Sequence, residues 1–226
     1  MFDAIAPRYD LLNRLMSAGA DQRWRRLTAR ALELRDGARV LDVATGTADL
    51  ALAAARSAQR VFVHGVDPSP RMLELGRRKI VEAGLAERVA LVVGEAERLP
   101  FANRSFDAVT IAFGIRNVPD RRRGLAEMAR VLVPGGRAAV LELTSPKRGL
   151  LAPAVRFWVH RVTPLLGALL SRAPEYRYLE RSIADFPAAP EFARLMADVG
   201  FSVRSVRPLS WGACHLFVGV KPEVAP

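Results

Sequence analysis

The sequence predicts an α/β fold, a doubly wound and mainly parallel sheet that ends in an antiparallel hairpin. Short β-rich runs alternate with helical patterns from residue 39 onward. The first five runs are almost continuously apolar, which is typical of parallel strands that are covered by helices on both faces. After residue 188, two further β-rich runs lie close enough in sequence to pair antiparallel.

Seven strands are predicted in all. The first five cover residues 39–43, 60–66, 89–93, 106–112 and 137–142. Helical patterns separate them over about 48–58, 70–83 and 120–132. A further helix is predicted over 190–199, before the last two strands at 201–207 and 214–221.

Two segments lie outside this alternation. Residues 1–36 carry mostly helical patterning and are predicted to form an N-terminal helical cap. Residues 146–186 are predicted to be a helical insert before the sixth strand. Within the insert, four residues have the spacing of one apolar helix face: Val155, Trp158, Val159 and Val162. A helix packed on the core and a lid or membrane-surface helix both fit this pattern. The whole chain, residues 1–226, is predicted to be a single domain.

Composition excludes several classes of protein. Half of the 226 residues are hydrophobic and 25% are charged, which is enough apolar material for a full core and excludes a disordered chain. The single cysteine, Cys214, excludes a disulfide scaffold and a cysteine-cluster metal site. The three histidines are scattered without ligand spacing, so no metal site is predicted.

The net charge is 34 − 23 = +11, which would suit nucleic acid or an anionic membrane. Only three of the basic residues are lysines, so an arginine-rich compositional bias explains the charge equally well. Neither a signal peptide nor a long uncharged apolar run is found, so a cytoplasmic protein is expected. Peripheral contact with the inner face of the cell membrane is left open.

Acidic residues stand at the ends of the first three predicted strands, where open α/β sheets bind ligands. Asp42 lies beside a turn whose only glycine is Gly46, so this turn lacks the three-glycine pattern of dinucleotide sites. A carboxylate there suits a cationic ligand. Asp67 is placed to accept hydrogen bonds from both hydroxyls of a ribose, and Glu95 to accept one from an adenine amino group. Together the three acids predict a nucleoside ligand with a cationic tail, such as S-adenosyl-L-methionine.

Longer motifs make this prediction specific. The runs VLDVATGT at 40–47, LPF at 99–101, FD at 106–107 and LVPGG at 132–136, together with Asp67, resemble class I S-adenosylmethionine-dependent methyltransferases. That resemblance implies a Rossmann-like, doubly wound sheet of seven strands with the last strand antiparallel. The motifs RYD at 8–10, FGIRNV at 113–118 and YRYL at 176–179 resemble one family within this class. It is the C-methyltransferases of ubiquinone and menaquinone biosynthesis.

The chain departs from that family at a few positions. Ala44 and Ala48 stand where the family often has glycine, so the turn after the first strand has less conformational freedom. Ala112 replaces a frequent serine, and Glu95 replaces a frequent Asn or Asp.

Carried over by position, the resemblance implies roles for individual residues. Thr47, Asp67 and the Glu95–Ala96 pair would bind the cofactor. Arg116 would act at the quinol ring, with a salt bridge that fixes its own loop as the alternative role. Asn117 and Tyr178 would bind the substrate.

The implied reaction moves a methyl group from the sulfonium to a ring carbon of a demethylmenaquinol or of the corresponding benzoquinol. That carbon is nucleophilic only in the reduced ring, best as its phenolate, and a cationic Arg116 would lower the pKa of the ring hydroxyl. The expected partner is a small-molecule isoprenoid quinol and not a nucleic acid; a homodimer is left open. The rival hypotheses are a methyltransferase for another hydrophobic small molecule and a non-catalytic RNA-binding module.

Overall fold

The structure, a computed structural model, describes residues 6, 10–11, 13–15, 17–144 and 181–223. These residues contain seven strands: β1 (Arg39–Val43), β2 (Phe62–Asp67), β3 (Val89–Val93), β4 (Phe106–Ala112), β5 (Leu132–Leu143), β6 (Ser202–Leu209) and β7 (Cys214–Val220). They form one sheet in the order β3-β2-β1-β4-β5-β7-β6. The first five strands pair in parallel, and β7 pairs antiparallel with both β5 and β6. The predicted fold class, including the antiparallel last strand, is confirmed.

The helices around the sheet include α1 (Ala20–Ala31), α2 (Asp49–Ala55), α3 (Pro70–Glu82), α4 (Arg121–Val131) and α5 (Ala189–Asp198). Local chemistry fixes two of their starts. The hydroxyl of Ser69 accepts a hydrogen bond from the Met72 N–H, and proline occupies the first turn of α3. The carboxylate of Asp120 caps α4 in the same way by accepting from the Arg123 N–H.

The core has two layers, one on each face of the sheet. On one face, side chains of α1 and α2, among them Trp24 and Leu50, pack against Val40 and Leu141 of the strands. On the other face, side chains of α4 and α5 such as Leu125 and Phe192 pack against Leu41 and Val140. Adjacent strand residues therefore enter opposite layers, as expected for a doubly wound sheet.

Element bounds follow the predictions closely where the apolar runs are sharply delimited. β1, β3 and β4 have the predicted bounds. β5 begins at Leu132 and not at 137, because Leu132 already pairs with Phe106 before a bulge shifts the register. Most of the predicted insert lies outside the described residues, including the amphipathic run from Val155 to Val162. No helix in the described part of the chain is long and apolar enough to cross a membrane.

Candidate cofactor and substrate site

The candidate site lies where the chain reverses its direction along the sheet. β1 pairs with β2 on one side and with β4 on the other, so the loops that follow β1 and β4 leave toward opposite faces. This switch point is where ligands bind in open α/β sheets. We call residues 44–48 the β1 loop and residues 113–117 the β4 loop.

Every second residue of the β1 loop has a left-handed backbone conformation. Ala44, Gly46 and Ala48 have φ values of 49°, 56° and 67°. Glycine adopts this conformation freely, whereas an alanine in it is less stable by about 1 kcal/mol. The two alanines at positions where the family often has glycine therefore take the conformation that glycine favours, and the loop keeps its shape with only methyl side chains.

Asp67 is held at the end of β2 by two backbone hydrogen bonds. Its Oδ2 accepts from the Gly46 N–H at 2.9 Å, and its Oδ1 accepts from the Ser69 N–H at 2.9 Å. The Thr45 N–H also donates to the Val66 carbonyl at 3.0 Å. These bonds tie the β1 loop to the end of β2, so the loop and the carboxylate predicted to bind ribose form one rigid unit.

Asp42 lies beneath the β1 loop and not on the open edge of the sheet. It is buried, and its two carboxylate oxygens accept hydrogen bonds of 2.7 Å from the hydroxyls of Thr45 and Thr110. Burial raises the pKa of Asp42 to about 6, although the threonine bonds and the charge of Arg25 act in the opposite direction. The structure therefore places Asp42 as a support of the loop from below.

Thr47 belongs to a polar network that the sequence did not reveal. Its hydroxyl donates to Asp10 Oδ1 at 2.6 Å and accepts from Lys79 Nζ at 3.1 Å. Lys79 also donates to Asp10 and to Asp49. Neither Lys79 nor Asp49 stands out in the sequence as a site residue. The one signal is that Lys79 is among only three lysines in a chain with 34 Lys and Arg residues.

Glu95 and Ala96 follow β3 at the same edge. Glu95 is exposed, and its carbonyl accepts from the Arg98 N–H at 3.2 Å in a short turn. The Gly94 N–H donates to the Asp67 carbonyl at 3.2 Å, which places this turn next to the end of β2. Glu95 is thus solvent-exposed at the position where its carboxylate is predicted to contact the edge of an adenine.

Arg116 forms a buried ion pair with Glu142 at the end of β5. The Nη1 atom of Arg116 lies 2.5 Å from Glu142 Oε1, and the two side chains are 8% and 0% exposed. The backbone N–H of Arg116 donates to Glu142 Oε2 at 3.1 Å. This pair fixes the β4 loop, as the alternative role for Arg116 required.

The β4 loop also contains buried polar atoms without partners. Among the described residues, five buried side-chain atoms lack a hydrogen bond, and three lie in this loop or just after it: Arg116 Nε, Asn117 Oδ1 and Arg121 Nε. The Nδ2 group of Asn117 donates to the Phe113 carbonyl at 3.3 Å, which leaves its Oδ1 as the unused acceptor. A buried polar atom without a partner is unfavourable unless a ligand or water supplies one. Tyr178, the other predicted substrate residue, lies outside the described residues.

These residues fit S-adenosylmethionine. A backbone-held carboxylate stands at β2, an exposed carboxylate at β3, and a loop of small side chains at β1. The β1 and β4 loops also approach closely, since a Cβ added at Gly114 would lie 2.6 Å from the Ala44 methyl group. Small residues at both places leave the backbone open to a ligand.

Comparisons with solved structures support this fold. Geranyl diphosphate methyltransferase in complex with S-adenosylmethionine superposes with a TM-score of 0.67 at 17% identity, over 88% of this chain and 85% of that one. An S-adenosylmethionine-dependent methyltransferase of Thermotoga maritima, a possible histamine N-methyltransferase, gives a TM-score of 0.65 at 22% identity over 97% of both chains.

Closer relatives exist in sequence. The ubiquinone/menaquinone biosynthesis C-methyltransferase UbiE of Geobacter sulfurreducens is 47% identical over 222 residues, which are 98% of this chain and 87% of that protein. The demethylmenaquinone methyltransferase of Thermus thermophilus is 47% identical over 226 residues, 98% of this chain and 100% of that protein. Residues 1–221 match the ubiE/COQ5 methyltransferase family. The chain therefore belongs to the ubiE/COQ5 family of S-adenosylmethionine-dependent methyltransferases.

Proposed function

We propose that the protein methylates a ring carbon of a reduced isoprenoid quinone, a demethylmenaquinol or the corresponding benzoquinol. The observation that carries the proposal is a pair of buried atoms in the β4 loop, Arg116 Nε and Asn117 Oδ1, that have no hydrogen-bond partner among the residues the structure describes. One is a donor and the other an acceptor. A quinol hydroxyl can donate to Asn117 Oδ1, and a quinolate oxygen can accept from Arg116 Nε. The names of the two relatives given above agree with this substrate class.

Arg116 acts on the substrate as a fixed donor. Its Nη1 group is committed to Glu142 and to the Phe113 carbonyl, at 2.5 and 2.7 Å, so the guanidinium plane is held in place. A held N–H donor stabilises charge that develops on the ring oxygen without reorganising. Arginine stays protonated, so Arg116 does not itself remove the proton of the ring hydroxyl. Asp42 is buried and both of its oxygens already accept hydrogen bonds, so it is poorly placed to take that proton.

The cofactor side of the site is formed by the β1 loop, Asp67 and the Glu95–Ala96 turn. S-adenosylmethionine, when bound, supplies an electrophilic methyl group on a sulfonium. Asp67 would hold the ribose hydroxyls, and Glu95 with Ala96 would contact the adenine. Gly46 and Thr47 of the β1 loop, with Asp42 beneath it, would hold the amino-acid tail.

Product analysis tests the reaction. The protein is incubated with S-adenosylmethionine labelled in the methyl group and with demethylmenaquinol, the benzoquinol analogue, or their oxidised quinones. Label is expected in the ring of a quinol product and absent with the quinones, because only the reduced ring has a nucleophilic carbon. Equal labelling of quinone and quinol, or of neither, contradicts the proposal.

Arg116→Lys tests the donor role without breaking the ion pair. Lysine can still pair with Glu142 but cannot supply the Nε donor, so turnover should fall about 100-fold while affinity for the cofactor stays within about twofold. Arg122→Lys is the matched control, because Arg122 pairs with Asp198 on the exposed surface. Loss of cofactor affinity with normal turnover in Arg116→Lys would assign Arg116 to the cofactor and not to the quinol.

Asp67→Asn tests the cofactor side. Loss of the charged acceptor should weaken S-adenosylmethionine binding at least about tenfold in calorimetry, from hydrogen bonds of about 1 kcal/mol each. Asp107→Asn is the control, because Asp107 also accepts a backbone N–H, from Arg39 at 2.7 Å, but at the opposite edge of the sheet. Undiminished affinity in Asp67→Asn would remove this carboxylate from the cofactor site.

We further infer that the protein meets its substrate at an anionic bilayer, since an isoprenoid quinol is a membrane lipid. The amphipathic run around Trp158, with Arg148, Arg156 and Arg161 nearby, supports this inference from the sequence, although it lies outside the described residues. Co-sedimentation with anionic vesicles should be weakened by salt and by Trp158→Glu. Absence of binding at low salt, or binding that is unaffected by Trp158→Glu, would favour a helix packed on the core.

A further inference from the structure

Lys79 is the centre of a compact ion network beside the β1 loop. It lies in the last turn of α3, and its ammonium group donates to Asp10 Oδ2 at 2.9 Å, to Thr47 Oγ1 at 3.1 Å, and to Asp49 Oδ1. An ammonium group has three N–H donors. All three donors of Lys79 are therefore used, and each acceptor belongs to a different part of the chain.

The network closes a ring around the Thr47 hydroxyl. Thr47 donates to Asp10 Oδ1 and accepts from Lys79, which in turn donates to the other oxygen of Asp10. Asp49 is the first residue of α2, and its second oxygen accepts from Gln22 Nε2 at 3.2 Å. The ring thus joins the N-terminal segment, the β1 loop, the start of α2 and the end of α3.

The packing of α3 brings Lys79 to this position. Gly76 lies one turn earlier on the same helix face, and a Cβ added there would lie 3.3 Å from both the Ala48 methyl group and the Thr47 carbonyl carbon. The helix therefore approaches the β1 loop closely at Gly76, and the next residue on that face is Lys79. From this place the long cationic side chain of Lys79 reaches the three oxygens at once.

The charges favour a fixed network and not a solvated surface pair. Burial alone would raise the pKa of Asp49, but the charges of Lys79 and Arg25 and the hydrogen bonds from Lys79 and Gln22 lower it, so Asp49 is ionised at neutral pH. Lys79 and Asp49 are 23% and 12% exposed. The neighbouring pair on the same helix, Arg78 with Glu74, is 67% and 59% exposed.

We propose that Lys79 is a positioning residue for methyl transfer, which sets the shape of the β1 loop where the amino-acid tail of the cofactor lies. Because its three donors are occupied, Lys79 acts through Thr47, Asp49 and Asp10 and does not itself bind the cofactor. The proposal rests on the function proposed above, which places the cofactor along this loop. It assigns to α3 and to Asp10 an influence on one end of the cofactor only.

Calorimetry with two nucleosides tests this selectivity. S-adenosylhomocysteine carries the amino-acid tail, and 5′-methylthioadenosine has the same adenosine part without it. Lys79→Met should weaken binding of the first at least about tenfold and of the second less than about twofold. Lys79→Arg, which keeps the charge, should recover most of the lost affinity. Arg78→Met is the matched control on the preceding residue of α3 and should change neither affinity.

A second variant keeps the test valid if Lys79→Met folds poorly. Asp10→Asn changes only the N-terminal member of the ring and should weaken S-adenosylhomocysteine several-fold, again with little effect on 5′-methylthioadenosine. Equal losses for both nucleosides in both variants, or no loss in either, would overturn the proposal. Because binding is measured without a quinol, these results are independent of the methylation assay. Failure of the unaltered protein to bind either nucleoside would instead refute the proposed function.

Discussion

The β1 and β4 loops are neighbours in space but are stabilised in different ways. Below the β1 loop, the buried acid is Asp42, and its partners are the neutral hydroxyls of Thr45 and Thr110. Beside the β4 loop, the buried acid is Glu142, and its partner is the cation Arg116. The two acids lie in the same sheet, on β1 and β5 with β4 between them, and both are fully buried.

This difference separates two uses of a buried charge. In the Arg116–Glu142 pair each buried charge is neutralised by the other. The β4 loop is therefore fixed by an interaction that needs no ligand. Asp42 forms no ion pair with the residues that the structure describes, and burial raises its pKa to about 6 although the charge of Arg25 acts in the opposite direction. A buried acid that is only partly compensated is typical of a site that gives up stability for function. A cationic ligand above it would supply the missing charge.

The largest effect is expected at Glu142. Glu142→Gln leaves the guanidinium of Arg116 buried without a counter-charge, which should lower the free energy of unfolding by about 3–5 kcal/mol. Urea denaturation of the variant and of the unaltered protein measures this loss of stability. Glu74→Gln, at the exposed pair with Arg78, should change stability by less than about 1 kcal/mol.

A double variant sharpens this test. Replacing both members of the buried pair, as Arg116→Met with Glu142→Leu, removes the two charges together and should restore most of the stability lost in Glu142→Gln. If Glu142→Gln is no more destabilising than Glu74→Gln, the β4 loop does not depend on the ion pair.

The second effect is a pH dependence from Asp42. Its pKa in the folded protein, about 6, lies above the ordinary value of 3.8, so between these values the folded state binds more protons than the unfolded state. Stability due to Asp42 therefore falls as pH rises from about 4 to 6 and stays level above that, by about 3 kcal/mol in all. This direction is opposite to that of an acid stabilised by a cation.

Asp42→Asn isolates this contribution. The free energy of unfolding of the variant minus that of the unaltered protein should increase by about 3 kcal/mol between about pH 4 and pH 7. All other titrating groups cancel in the difference. A difference that does not vary with pH would show that Asp42 is compensated in the folded protein after all.

The comparison also shows what the sequence could and could not predict. The strands at 39–43, 89–93 and 106–112 were predicted to the residue, because each is an apolar run with sharp polar limits. Acids at strand ends were also identified, since strand ends are visible in the pattern. The direction in which Asp42 faces was not, because its partner Thr110 lies opposite it on β4 only once the strand register is known.

Pairs that are distant in sequence were the hardest to predict. Lys79 and Asp10 are 69 residues apart, and they meet because α3 packs closely against the β1 loop at Gly76. Arg116 and Glu142 are 26 residues apart, and they meet because β4 and β5 are adjacent. Periodicity reports which face of an element is apolar, but it does not report which two polar residues from different elements will be in contact.

The smallest expected effect concerns the contact between the two loops. A methyl group added at Gly114 would lie 2.6 Å from the Ala44 methyl and 3.2 Å from Ile111 Cγ1. Gly114→Ala should therefore lower the free energy of unfolding by about 1–3 kcal/mol through overpacking, since the backbone at Gly114, with φ −107° and ψ −37°, suits alanine. Ala44→Gly alone should change stability by less than about 1 kcal/mol. Glycine removes the strain of an alanine in the left-handed conformation, which is stabilising. Glycine also gives the unfolded chain more conformational freedom, which is destabilising and offsets that gain.

The double variant, Ala44→Gly with Gly114→Ala, moves the methyl group from one loop to the other. It should recover at least half of the stability lost in Gly114→Ala, which gives a coupling energy of about 0.5 kcal/mol or more in a double-mutant cycle. The contact with Ile111 remains in the double variant, so recovery will be incomplete. Strictly additive effects would mean that the β1 and β4 loops are stabilised independently, and the two buried acids would then have to be considered as separate features of the fold.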